Sequence, residues 1–155
     1  MSSDLHIVGF RVGAETFGLP ISLVHEIVRV PEITAVPDSA QFVEGVINLR
    51  GRIISVVDLR KRFGQAATDP SKKNRVIVVD WEGKLVGLMV DAASEVVRIP
   101  HSEVEPAPRV LNNENASYVT AVGKYQGRLI ILLDLNRVLQ TTDLPKPLAT
   151  EAVPA

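Results

Sequence analysis

One stretch constrains the fold more than any other, because the chain carries it twice. Phe42 to Phe63 reads FVEGVINLRGRIISVVDLRKRF, and Tyr118 to Leu139 reads YVTAVGKYQGRLIILLDLNRVL. A shift of 76 residues lays Phe42 on Tyr118, Gly51 on Gly127, Arg52 on Arg128, Asp58 on Asp134 and Leu59 on Leu135. Upstream, a shift of 69 lays Phe17-Gly18-Leu19 on Val86-Gly87-Leu88 and Glu26 to Pro31 on Glu95 to Pro100. The two shifts differ by seven residues, the size of the polar insert Arg109 to Asn115. Two copies of one unit, about 6–63 and 75–139, therefore make up a single domain over 1–140. Two copies are too few for a solenoid, so a paired, pseudo-twofold fold is expected.

Within each copy the pattern is strand, tight turn, strand, short helix. Val43, Gly45, Ile47 and Leu49 alternate along the first arm, and Arg50-Gly51 turns the chain, glycine taking positive φ at no steric cost. Ile53, Ile54, Val56 and Val57 form a β-branched second arm, and Asp58 suits the N-cap of a helix Leu59 to Phe63 closed by Gly64. Earlier, His6 to Gly13 alternates as a strand, and Ala14-Glu15 turns into Phe17 to Leu19. Pro20 opens a stretch whose Ile21, Val24, Ile27 and Val28 fall at helical spacing, so a short helix ending at Pro31 is expected. Gln65 to Lys73 reads as the polar boundary between copies, and Glu82-Gly83 as a tight hairpin. Glu95 to Ile99 reads as a strand and Pro106 to Asn115 as a loop. The tail 141–155, rich in Thr, Pro and Ala, is expected to be disordered. Many short strands repeated twice predict a mainly β fold, two small barrels sharing an apolar seam.

Composition narrows the function. At 155 residues each copy is small for independent stability, and a net charge of −1 argues against nucleic acid. There is no cysteine, hence no disulfide, thiolate metal site or thiol nucleophile. The start Met-Ser-Ser-Asp-Leu-His lacks the pattern of a signal peptide, and the apolar runs are too short to span a bilayer, so a cytosolic location is expected. His6, His25 and His101 are scattered and read as ordinary surface histidines. Asp58 and Asp134 admit an acid–base pairing, but their identical place in the repeat makes them helix caps. No cluster supplies metal ligands, a nucleophile or a phosphate cradle, so neither metal nor cofactor is expected. The copies differ at one informative place: Asn48-Leu49-Arg50-Gly51 stands against Lys124-Tyr125-Gln126-Gly127. Arg50 is either a solvated turn residue or a donor fork held out to a partner carboxylate. Glu26 is similarly open, and its mate Glu95 hints at a structural role.

Gly45-Val46-Ile47-Asn48-Leu49-Arg50-Gly51-Arg52-Ile53-Ile54, followed by Val57-Asp58-Leu59-Arg60 and Phe63-Gly64, resembles the signature of the CheW family of chemotaxis adaptors. The likeness extends through Phe10, Val24 to Ile27, Val76 to Val79, Val86-Gly87, Val90-Asp91 and Leu132 to Leu135. Ser55 departs from the family's usual proline. The resemblance implies two SH3-like five-stranded β-barrels in pseudo-twofold repeat, and no enzymatic activity or cofactor. It implies a scaffold joining the cytoplasmic tips of methyl-accepting chemoreceptors to the regulatory domain of the histidine kinase CheA, cytoplasmic but recruited to membrane receptor arrays. Carried over by position, the receptor-binding residues are Glu26, Arg50, Ile77, Ala93 and Val96, and the kinase-binding residues Val24 and Gly45. Gly45 precedes Arg50 by five residues on one strand, roughly 16 Å at 3.3 Å per residue, which separates the two interfaces. A kinase fragment and a receiver-bearing CheV-type protein are disfavoured by the absence of further segments. A paralogue serving a pilus pathway and, from another class, a ligand carrier or small enzyme are the competing readings.

Overall fold

The computed structural model describes residues 4–37, 43–63, 72–106 and 119–139. Phe42, Tyr118, Gly64, the insert Arg109 to Asn115 and the tail 141–155 lie outside the described residues, as do the expectations placed on them.

Among the described residues eleven strands and two short helices follow one another: β1 Leu5–Val12, β2 Glu15–Pro20, β3 Val24–Arg29, β4 Val43–Leu49, β5 Arg52–Asp58, α1 Leu59–Arg62, β6 Arg75–Trp81, β7 Lys84–Val90, β8 Ala92–Ile99, β9 Val104–Pro106, β10 Val119–Tyr125, β11 Arg128–Leu133 and α2 Leu135–Leu139. They form a five-stranded sheet, β3-β6-β7-β5-β4, and a six-stranded sheet, β8-β1-β2-β11-β10-β9. The mainly β, two-sheet architecture agrees with the expected pair of five-stranded units, the second carrying the short β9 in addition. In the first sheet the counterpart of β9 is a single bridge between Thr34 and Val46.

Under the two shifts the sheet orders correspond strand for strand: β3 with β8, β6 with β1, β7 with β2, β5 with β11, β4 with β10. The hairpin that opens each copy lies in the other copy's sheet. β1–β2 pairs with β8 and β11, and β6–β7 pairs with β3 and β5. The β2–β11 and β7–β5 pairings are parallel. A parallel pair needs a long connection, and this exchange supplies one. Three of the four hairpins turn on a non-glycine followed by glycine, both at positive φ: Arg50-Gly51 (52° and 86°), Glu82-Gly83 (53° and 81°) and Gln126-Gly127 (50° and 77°). Such turns match the right-handed twist of the strands they join.

The exchange dictates the core. β6 is buried on both faces, with Val76 and Val78 in a cluster inside the first sheet and Ile77 and Val79 in a cluster common to both sheets. Ile7, Val97, Ile99, Ile130 and Leu132 fill the matching interior of the second sheet. The common cluster joins Phe10, Val12, Phe17 and Leu19 to Val57, Leu88 and both helices through Leu59 and Leu135. Phe17 stacks between Phe10 (6.2 Å) and Phe63 (5.1 Å), tying α1 to the hairpin of the other sheet. Each fully buried aliphatic side chain contributes roughly 1.5–3 kcal/mol, so this seam holds the two sheets as one unit.

The caps form as the sequence suggests. Asp58 accepts from Arg60 N at 2.9 Å, and Asp134 accepts from Arg137 N at 3.3 Å. The helix expected after Pro20 does not form. A single 3-10 turn, Ile21–Leu23, leads into β3, where burial alternates with period two. Ile21, Val24, Ile27 and Val28 satisfied helical spacing, yet Ile27 points outward at 39% exposure. Pairing with β6 and the β-branched content of the segment override that spacing.

Candidate functional site

Arg50 sits at positive φ in the β4–β5 turn, held by Asn48 Oδ1 accepting from Gly51 N at 2.8 Å. Its guanidinium lies across β3 and grips Glu26 with both prongs, Nη1 to Oε2 at 2.5 Å and Nη2 to Oε1 at 2.8 Å. This bidentate hydrogen bond, together with the arginine's charge, holds the Glu26 carboxyl below its ordinary range against an opposing desolvation effect. The same hydrogen bond raises Arg50 further. Arg50 is therefore not an unoccupied fork awaiting a partner. Two of its five N–H donors are in use, and with a side chain 69% exposed the others face outward. The second copy has no such device, because Gln126 stands in Arg50's place.

The other expected residues divide. Val96, on β8, is 57% exposed, and Ala93 on the same strand is half-buried. Both belong to the six-stranded sheet, whereas Glu26 and Arg50 belong to the five-stranded one, and no bond joins the two pairs among the described residues. Ile77 is 0% exposed in the common core, because β6 is covered on both sides. Gly45 has a structural reason of its own. It is buried at a bulge in β4 with φ 147°, and an added Cβ would stand 2.1 Å from the Thr34 carbonyl oxygen. Close packing and positive φ both demand glycine there. Val24 is half-buried against the common core.

The sequence reading missed two features. Val96 is expected at the receptor surface, but its mate Ile27 under the shift of 69, and the pair Ile53 and Leu129 under the shift of 76, are not; all four are exposed, Ile27 39%, Val96 57%, Ile53 48% and Leu129 60%. Each sheet thus displays the same apolar pair, a signal available from alternation applied to the aligned copies. The second is Arg60, only 5% exposed, whose guanidinium lies 3.3 Å from both Asp58 and Asp91. Asp58 is thus a cap and an ion-pair partner. His6, His25 and His101 are exposed, and no group of three side chains able to hold a metal occurs among the described residues. No helix among them is long and apolar enough to cross a membrane.

Paired β sheets that hold exposed apolar side chains and an ion-paired, outward arginine on their surface suit a binding module. The comparisons specify which. Residues 6–143 match the CheW-like domain family. The chain is 34% identical over 137 residues to the chemotaxis protein CheW of Helicobacter pylori, covering 88% of this chain and 82% of that one. It is 32% identical over 137 residues to CheW of Rhizobium meliloti, covering 88% of both. The crystal structure of the scaffolding protein TtCheW from Thermoanaerobacter tengcongensis matches with a TM-score of 0.83 at 38% identity, over 92% of this chain and 96% of that one. The chain belongs to the CheW family: a chemotaxis scaffold, not an enzyme.

Proposed function

We propose that this protein couples the cytoplasmic tips of methyl-accepting chemoreceptors to the regulatory domain of the histidine kinase CheA, and is drawn from the cytoplasm into membrane receptor arrays by doing so. The observation that carries the reading is the Arg50–Glu26 pair, present in one copy only and exposed on the arginine side. Glu26 orients the guanidinium, and the remaining donors meet acceptor groups on the receptor tip. Ala93 and Val96 extend the receptor surface onto β8, while Val24 belongs to the kinase surface. Val24 and Glu26 are two residues apart on β3, about 7 Å, so the boundary between the two surfaces runs along that strand. Arg50→Ala should weaken binding of a receptor cytoplasmic fragment roughly thirtyfold, as loss of a well-covered anchor does, with the melting temperature little changed. Binding of an isolated kinase regulatory domain should stay within about twofold of wild type. Equal losses toward both partners would end the two-surface reading.

A further inference from the structure

Trp81 is the only tryptophan in the chain, and it borders a pocket whose counterpart in the other copy is filled. The pocket, about 360 Å³, lies where the end of β6, the start of β10 and the head of α2 meet. That is the lower end of the range for ligand sites. Leu133 and Leu135 line its buried side, Asp80, Glu82 and Asp134 supply carboxylates, and none of the residues lining it is basic.

The two shifts carry this place onto the buried Arg60. Asp134 corresponds to Asp58, Leu135 to Leu59 and Asn136 to Arg60, while Asp80 and Glu82 correspond to Arg11 and Gly13. In the first copy the Arg60 guanidinium fills the space, between the cap carboxylate of Asp58 and that of Asp91, each 3.3 Å away. Asp91 in turn accepts from Gly13 N in the facing turn, at 2.6 Å. In the second copy the cap carboxylate is retained but the guanidinium is gone. Asn136 is too short to reach back over it, and its Oδ1 accepts from Trp81 Nε1 at 2.9 Å instead. Ser22 replaces Asp91, and the facing turn brings two acids of its own, Asp80 and Glu82. The neighbouring Arg137 Nε lies 3.5 Å from Asp134, but that side chain is 61% exposed, a screened and displaceable partner. A metal ion is not suited to these acids, which form no ligating group of three among the described residues.

We propose that this pocket receives an arginine side chain from a partner protein, its guanidinium taking the place that Arg60 occupies in the other copy. Asp134 and the Asp80–Glu82 turn meet the planar fork, and the indole of Trp81 offers a face for it. This holds whichever protein supplies the arginine, and it is independent of the assignment of receptor and kinase surfaces. Because Trp81 is the sole tryptophan, its fluorescence reports occupancy directly. Titration of the full chain with N-acetyl-arginine amide should give a saturable change with half-saturation at about 1–10 mM, the range open to one side chain. The neutral isostere N-acetyl-citrulline amide should bind at least about tenfold more weakly, having lost the charge-assisted bonds. Asp80→Asn with Glu82→Gln, both exposed, should weaken arginine about fivefold or more at unchanged melting temperature. Asn136→Arg should fill the pocket from within and abolish the saturable response. Equal binding of citrulline, indifference to the acid substitutions, a wild-type response in Asn136→Arg, or no saturation by 50 mM arginine amide would each overturn the proposal.

Discussion

The heads of the two short helices share an Asp-Leu pair and differ in electrostatics. At α1, Asp58 caps the helix and joins Arg60 and Asp91 in a closed, buried ion cluster. At α2, Asp134 also caps the helix, accepting from the amide three residues on (Arg137 N) where Asp58 accepts from the amide two residues on, but Asn136 and Trp81 leave the space open. The hairpin turns tell the same story, since Arg50-Gly51 and Gln126-Gly127 have closely similar positive φ angles and only the first carries an ion pair. The fold requires the cap, the leucine after it, the turn glycine and the β-branched strands, and both copies keep them. Polar residues beyond that set have been free to diverge, so the places where equivalent positions differ are where function is to be sought.

The largest expected effect tests the closed cluster. Arg60→Ala strands two carboxylates, one of them fully buried, and should cost about 3–5 kcal/mol in urea unfolding, whereas Asn136→Ala at the open head should cost no more than about 1 kcal/mol. Similar losses at both would erase the distinction. The bulges come next. Gly45→Ala pushes a Cβ into the Thr34 carbonyl and should cost roughly 2–4 kcal/mol, while its mate already carries alanine. Ala121→Gly should cost no more than about 1 kcal/mol by the same assay. The smallest effect belongs to the Arg50–Glu26 pair. Glu26's carboxyl is lowered in the folded state, so the pair stabilises above the ordinary carboxylate pKa and is lost as pH falls through the lowered folded value. The melting-temperature difference between wild type and Arg50→Ala should be small at pH 7 and vanish in acid. A difference that persists undiminished in acid would mean that the arginine stabilises by something other than this pair.

Legibility followed from what each residue must do. The repeat, the hairpins, the caps and the common seam were visible because glycine turns, β-branched arms and Asp-Leu helix heads are local requirements retained in both copies. The exchange of hairpins was not visible as a pairing, since periodicity reports a strand's faces and not its neighbours. β3 departs from expectation because Ile21, Val24, Ile27 and Val28 satisfy one face of a helix, while the same segment of the second copy, Glu95 to Ile99, reads as a strand. Applying one conformation to both mates would have corrected it. Ile77 enters the receptor set through the family resemblance alone, and its burial is not legible in the sequence because a strand covered on both faces has no polar alternation. Arg50 was singled out for the right reason, its contrast with Gln126, but its internal partner lies 24 residues away in sequence and only the fold brings the two together.

The measurement that bears most directly on the adaptor reading is a charge exchange, Glu26→Arg with Arg50→Glu, assayed separately against a receptor cytoplasmic fragment and an isolated kinase regulatory domain. The exchanged pair can rebuild the bridge between the turn and β3, but it removes the outward donors from the turn. Expected is a melting temperature close to wild type, kinase-domain affinity within about twofold, and receptor affinity still reduced by roughly the thirtyfold of Arg50→Ala. Recovery of receptor binding in the exchanged protein, or a parallel loss toward both partners, would contradict the assignment of Arg50 to a receptor surface distinct from the kinase surface.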